Sequence, residues 1–210
     1  MMFVHVVESP RDTDLLSGRT EGKTLCEALT LCDVPHRYHL ATTKNAFKLG
    51  LSSLLKRACD EFNGFPILHI SAHGSKEGLA LTNGEFVTWP ELREILAPLV
   101  NEHPKSIVLC LSACYGLNAV EIPMTLDGSG HLCAIIGSTK DSTWSQFAVA
   151  FIVFYFRFFG GETIGESVRL MNSVSGTDGF AVISGEAVRR RFVDKLAESF
   201  FQPPRPATNG

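Results

Sequence analysis

The chain has 210 residues, 45% hydrophobic and 20% charged, a balance that excludes wholesale disorder, which needs low hydrophobicity and high net charge. Lys and Arg number 19 against 22 Asp and Glu, a formal net charge of -3, so no global basic field is available to hold nucleic acid. The length suits one domain, taken as residues 1–201, followed by a Pro-rich tail over 202–210 that cannot join a core.

Phe3–Glu8 is a short apolar run stopped by Ser9-Pro10, the pattern of a strand. Arg11–Gly22 is polar and holds two glycines, and reads as a loop. Lys23–Cys32 has apolar residues at helical spacing, and His36–Leu40 beyond Pro35 is a second strand. Leu49–Phe62 is predicted as one amphipathic helix with Leu51, Leu54, Leu55 and Ala58 on one face. Pro66–Gly74 is a third strand. Gly78–Val87 is a hairpin around Asn83-Gly84, a strong hairpin turn. Thr88, Pro90 and Glu91 open a helix that runs to about Val100. Ser106–Ser112 is apolar on both faces, as buried parallel strands are, and Leu132–Ser138 is similar. Helices follow over Thr143–Phe159 and Thr163–Val174, then a strand over Gly179–Ser184 and a helix over Glu186–Phe201. The Phe-rich helix 143–159 is apolar almost all round, which suits a core helix or an interface. This alternation of strand and helix is the signature of an α/β doubly wound sheet.

The six cysteines form no C-x-x-C pair, so zinc-ribbon and thioredoxin-like readings fail, and free thiols in a reducing cytoplasm are expected. His36 and His39 are three apart on a strand and point to opposite faces, while His69 and His73 share a face but are too few for a zinc site. No phosphate-binding G-x-x-x-x-G-K-[ST] loop is present, so no metal and no cofactor is expected. The N-terminus lacks a basic region and an A-x-A site, and the apolar run Phe147–Phe156 is about half the length of a membrane span. A cytoplasmic protein with no membrane span and no nucleic-acid partner is therefore expected.

In an open α/β sheet, sites form beyond the carboxyl ends of the strands. There the third strand carries Ser71-Ala72-His73-Gly74 and the fourth Leu111-Ser112-Ala113-Cys114-Tyr115-Gly116. If these strands are neighbours, an imidazole and a thiol meet at one rim, and an imidazole activates a thiol. The flanking glycines allow close approach of backbone N–H groups to a substrate.

These two segments resemble the caspase-like cysteine peptidases, with His73 lying 41 residues before Cys114. The wording His-Ile-Ser-Ala-His-Gly and Leu-Ser-Ala-Cys is nearest to bacterial CHAT domains. The resemblance extends over most of the chain, from Phe3 to Ser184. It implies a caspase-like doubly wound, mostly parallel sheet flanked by helices, with a small hairpin after His73. It also implies a Cys114–His73 dyad with no third catalytic residue required, and an oxyanion held by the N–H groups of Gly74 and Cys114. A substrate carboxylate would meet Arg19, by analogy with the loop after the first strand of caspases. A basic P1 side chain (the residue on the amino side of the cut) would meet Asp141, as in relatives with an acidic pocket. The bland readings are a solvated loop Arg and a helix-start carboxylate. Leu126–Gly130 could be the cut site of an activation linker, but an ordinary flexible turn is the better reading, and an unprocessed single chain is expected. The family context implies cleavage of a specific protein, such as a gasdermin-like pore former, in bacterial antiviral defence or regulated cell death, under control of an activating protein partner. Two rivals stand beside this. One is a non-catalytic interaction module on the same fold. The other is an α/β-hydrolase, opposed by the chain order, because that fold places its His after the nucleophile.

Overall fold

The computed structural model describes residues 1–102, 106–121, 132–187 and 190. One sheet runs in the order β2 (His36–Leu40), β1 (Met2–Ser9), β3 (Phe65–Gly74), β6 (Val108–Ser112), β7 (Ala134–Ser138) and β8 (Phe180–Ser184). All neighbours along it are parallel except β7 and β8. A small hairpin, β4 (Gly78–Ala80) and β5 (Phe86–Thr88), attaches to the end of β3 through His73 and Gly74. This is the mixed α/β architecture that the sequence pattern predicts, hairpin included.

Alternation along the strands feeds two cores. Phe3, Val7, Leu68, Ile70, Leu109 and Leu111 meet α3 (Lys44–Gly50), α4 (Ser53–Phe62) and α5 (Trp89–Glu102) on one face. Val4, Val6, Ile67, Val108, Cys110 and Ile136 meet α2 (Glu21–Leu31), α6 (Trp144–Phe159) and α7 (Ile164–Ser175) on the other. Covering both faces is what buries β1, β3, β6 and β7 on both sides. The aromatic helix α6 buries Phe147, Phe151, Phe154 and Tyr155 in the second core, while Val149 and Phe156 stay exposed on its outer side.

Two expectations are corrected. The segment 11–22 is not simply a loop: it holds the short helix α1 (Asp12–Leu16), and α2 already begins at Glu21. The cause lies in β1. Buried Glu8 accepts hydrogen bonds from the N–H groups of Gly22 (2.8 Å) and Lys23 (3.2 Å), and so caps α2 in place of the Thr20 side chain. The single helix expected over 49–62 is two helices, broken at Leu51 and Ser52. There the buried His5 ring bonds the Gly50 carbonyl at 2.8 Å, and Gly50 packs so close to Val7 that a Cβ would lie 3.3 Å from its methyls. A side chain inserted at a helical carbonyl is one of the ordinary causes of a break in the helix.

The helix expected over 186–201 and the tail lie almost wholly outside the described residues. So does Leu126–Gly130. Among the described residues no helix is long and apolar enough to cross a membrane.

Candidate active site

Register places β3 beside β6 with Ser71 opposite Ser112, so both chains leave the sheet at the same rim. Two residues further on, His73 and Cys114 emerge on one face. They line a cavity of about 280 Å³ together with Ala72, Ser142, Thr143, Trp144 and Phe147. The two residues singled out from sequence are thus brought together. No hydrogen bond joins imidazole to thiol among the described residues; each is held separately.

Imidazole Nε2 bonds the Asp14 carboxylate at 3.2 Å, and the ring packs edge-on against Trp144 with centroids 4.8 Å apart. A carboxylate only accepts, so Nε2 carries the proton and Nδ1 is the nitrogen free to take another. Asp14 is itself buried, and Arg19 pairs with its other oxygen at 2.9 Å. Burial pushes the Asp14 carboxyl up, but its bond from His73 and the Arg19 charge outweigh that and hold it below the ordinary range. Burial holds His73 below the usual imidazole value, with Asp14 opposing, so the ring is neutral near pH 7.

The thiol of Cys114 donates to the Ser142 carbonyl at 3.5 Å and accepts from the Ser142 N–H at 3.4 Å. Ser142 immediately precedes Thr143, the N-cap of α6, whose side chain forms a reciprocal capping box with Gln146. Burial pushes the Cys114 thiol up, the Ser142 N–H works against this, and the Asp141 charge adds to it. Tyr115 has φ of 55°, left-handed backbone for a non-glycine residue, in the turn closed by the Gly116 N–H on the Ala113 carbonyl at 3.1 Å. Its hydroxyl donates to Asp141 at 3.1 Å. Gly74 lies against the Cys114 backbone: a Cβ there would come within 2.2 Å of the Cys114 carbonyl oxygen and 2.9 Å of its nitrogen. Only glycine fits, and the backbones of Gly74 and Cys114 are therefore adjacent.

Arg19, expected at a substrate carboxylate, is engaged by Asp14. Asp141, expected beneath a basic side chain, is exposed and stands beside Cys114 and Tyr115, at the edge of the cavity and not on its floor. Sequence reasoning missed Asp14, Trp144 and the Ser142 backbone. Asp14 lay inside the stretch read as loop. His69 is a core residue, its ring between the Tyr155 hydroxyl (3.0 Å) and buried Glu21 (3.5 Å). Among the described residues no group of three or more His, Cys, Asp or Glu could hold a metal ion.

No protein-family model and no curated protein matches the chain by sequence. Solved structures do match. The complex of the pro- and mature domains of Porphyromonas gingivalis RgpB superposes with a TM-score of 0.52 at 10% identity, covering 89% of this chain and 48% of that one. The Arg-specific cysteine proteinase gingipain R (RgpB) gives 0.50 at 12% identity, covering 88% and 46%. The chain spans about half the length of these relatives in fold. It shares with them the caspase-like arrangement of a mostly parallel sheet between helices.

Proposed function

We propose that this protein is a cysteine endopeptidase that cuts a protein substrate with Cys114 as nucleophile and His73 as general base and acid. One observation carries the reading: the two residues follow adjacent parallel strands and line one cavity. The gingipain fold supports it. In the proposed reaction His73 Nδ1 takes the thiol proton while Asp14 fixes the ring through Nε2–H. Cys114 Sγ attacks the scissile carbonyl carbon, and the carbonyl π electrons pass to its oxygen. The N–H groups of Gly74 and Cys114 hold that oxyanion. Collapse of the adduct expels the amine, which takes the proton from His73, leaving a thioester. Water then attacks the thioester, gives a proton to His73 and releases the acid, and the thiol is restored.

The Arg specificity of gingipain R, together with an exposed carboxylate beside Cys114, favours a basic P1 side chain at Asp141. The Trp144–Phe147 cavity would then take a neighbouring apolar side chain. In this reading Arg19 serves Asp14 and not a substrate carboxylate. The cytoplasmic setting, the activating partner and the defence role belong to the same proposal.

Incubation with a diverse peptide library, with cut sites read by mass spectrometry, tests it. Cleavage after Lys or Arg is expected, abolished by Cys114→Ala and by His73→Ala with circular dichroism unchanged. Full cleavage by either variant would remove the mechanism. An electrophilic peptide probe is expected on Cys114 and not on Cys110, which is fully buried with its thiol pushed up to about 12. No labelling at Cys114 would leave the non-catalytic module.

A further inference from the structure

The sulfur of Cys114 is bracketed by the Ser142 backbone, and Asp141, the residue immediately before Ser142, bonds the hydroxyl of Tyr115, the residue immediately after Cys114. Asp141 is anchored by the Tyr115 hydroxyl. Its chain neighbour Lys140 turns away to pair with Asp178, and no cation pairs with Asp141 among the described residues. Lys76 lies over the Tyr115 ring, 5.6 Å from its centroid. From β3 comes His73, neutral, with Asp14 and Arg11 bearing on it from the chain after β1. The charge that bears on Cys114 is therefore the negative one of Asp141. Reactive thiols ordinarily sit by positive charge, because the thiolate is the attacking species.

We propose that Asp141 couples substrate recognition to ionisation of the nucleophile: its carboxylate adds to burial in keeping Cys114 a neutral thiol in the empty site, and a cationic substrate side chain that pairs with it removes that contribution. The coupling rests on the basic-P1 reading given above. When the cation arrives, the thiol proton leaves for His73 Nδ1 and the electron pair stays on Sγ. Without it, the enzyme is a poor nucleophile toward neutral peptides and oxidants. Substrate charge then contributes to rate as well as to affinity, because it alters the reacting atom and not the docking alone.

Alkylation of Cys114 in the full chain by iodoacetamide reads the thiolate directly: Sγ displaces iodide, and the thiol proton goes to buffer. The rate is followed against pH by mass spectrometry of the Cys114 peptide for the wild type, Asp141→Asn and Asp141→Lys. The expected result is a midpoint that falls in that order, with the neutral-pH rate rising about five- to ten-fold at the first step and the high-pH plateau unchanged. Equal midpoints overturn the coupling. A peptide with P1 Arg is then compared with its uncharged citrulline isostere. Asp141→Asn should lose the wild type's preference for Arg, and should cleave the citrulline peptide faster than the wild type does. If the midpoints move but the Arg preference survives, the cation binds elsewhere, and the coupling falls together with the basic-P1 reading. If the preference collapses with midpoints unmoved, the basic-P1 reading stands and the coupling alone falls.

Discussion

Asp14 decides which nitrogen of His73 carries the proton. A carboxylate at Nε2 can only accept, so it selects the tautomer with Nδ1 bare and stops the ring turning; Trp144 closes the remaining side. In the proposed reaction, Asp14→Ala is expected to leave Cys114 and the N–H groups of Gly74 and Cys114 in place while the imidazole samples the other tautomer. The turnover number should fall by about 10²-fold, the range of a positioned acid–base group, with KM little changed. Because Asp14 raises the affinity of His73 for its proton against burial, its loss should also move the acid limb of the rate profile to lower pH. A residue that merely supported the fold would lower the active fraction and leave that limb where it is. His73, Gly74 and Cys114 were legible from sequence because each immediately follows a buried apolar run, and the rim of an α/β sheet is where such residues meet. Asp14 was not, since nothing in Asp12-Thr13-Asp14 says that one of its carboxylates crosses to the end of a strand distant in sequence.

At the scale of elements, α6 and α7 were readable from their own caps, the start of α3 under the Thr43 cap was missed, and boundaries set by another element were not readable. Thr143 with Gln146 and Thr163 with Glu166 announce α6 and α7, and both helices begin there. The start of α2 depends on Glu8 and the break between α3 and α4 on His5, side chains that belong to β1. Helix α6 matters most for the site, since its first turn follows directly on the residue that brackets the Cys114 sulfur. Two substitutions separate its anchors. Phe151 is fully buried and packs edge-on against both His69 and Phe180, so Phe151→Ala should cost about 3–5 kcal/mol. Thr143→Ala removes one cap and should cost about 1 kcal/mol. Urea unfolding at a fixed pH measures both. If the two costs come out equal, α6 is not held chiefly by its aromatic stripe.

For the whole molecule, alternation of strand and helix was enough to give a mostly parallel sheet, but not the pairing of β8, which lies antiparallel on β7 at the edge. Both a parallel and an antiparallel edge strand bury the same residues, so the pattern of apolar positions does not choose between them. The two cores differ in what they enclose, and this bears on stability. The face that packs α3 and α4 contains His5, fully buried, with Nε2 on the Gly50 carbonyl and its ring 4.8 Å from that of His39. Burial pushes His5 down to about 4 from an ordinary 6.5, and burial followed by the Arg37 charge holds His39 down as well. In the unfolded chain the same imidazole takes a proton near its ordinary value. Between the two the unfolded state binds more protons than the folded one, so stability falls as the pH falls. The His5 contribution is complete above about pH 6.5, declines down to about pH 4, and is then constant. The difference is worth about 3 kcal/mol, a large fraction of the stability of a domain this size. His5→Gln keeps an N–H donor for Gly50 and removes the titration. Urea midpoints measured from pH 7 to pH 5 should therefore drop steeply for the wild type and clearly less for the variant, and parallel declines would show that His5 is not the group being titrated.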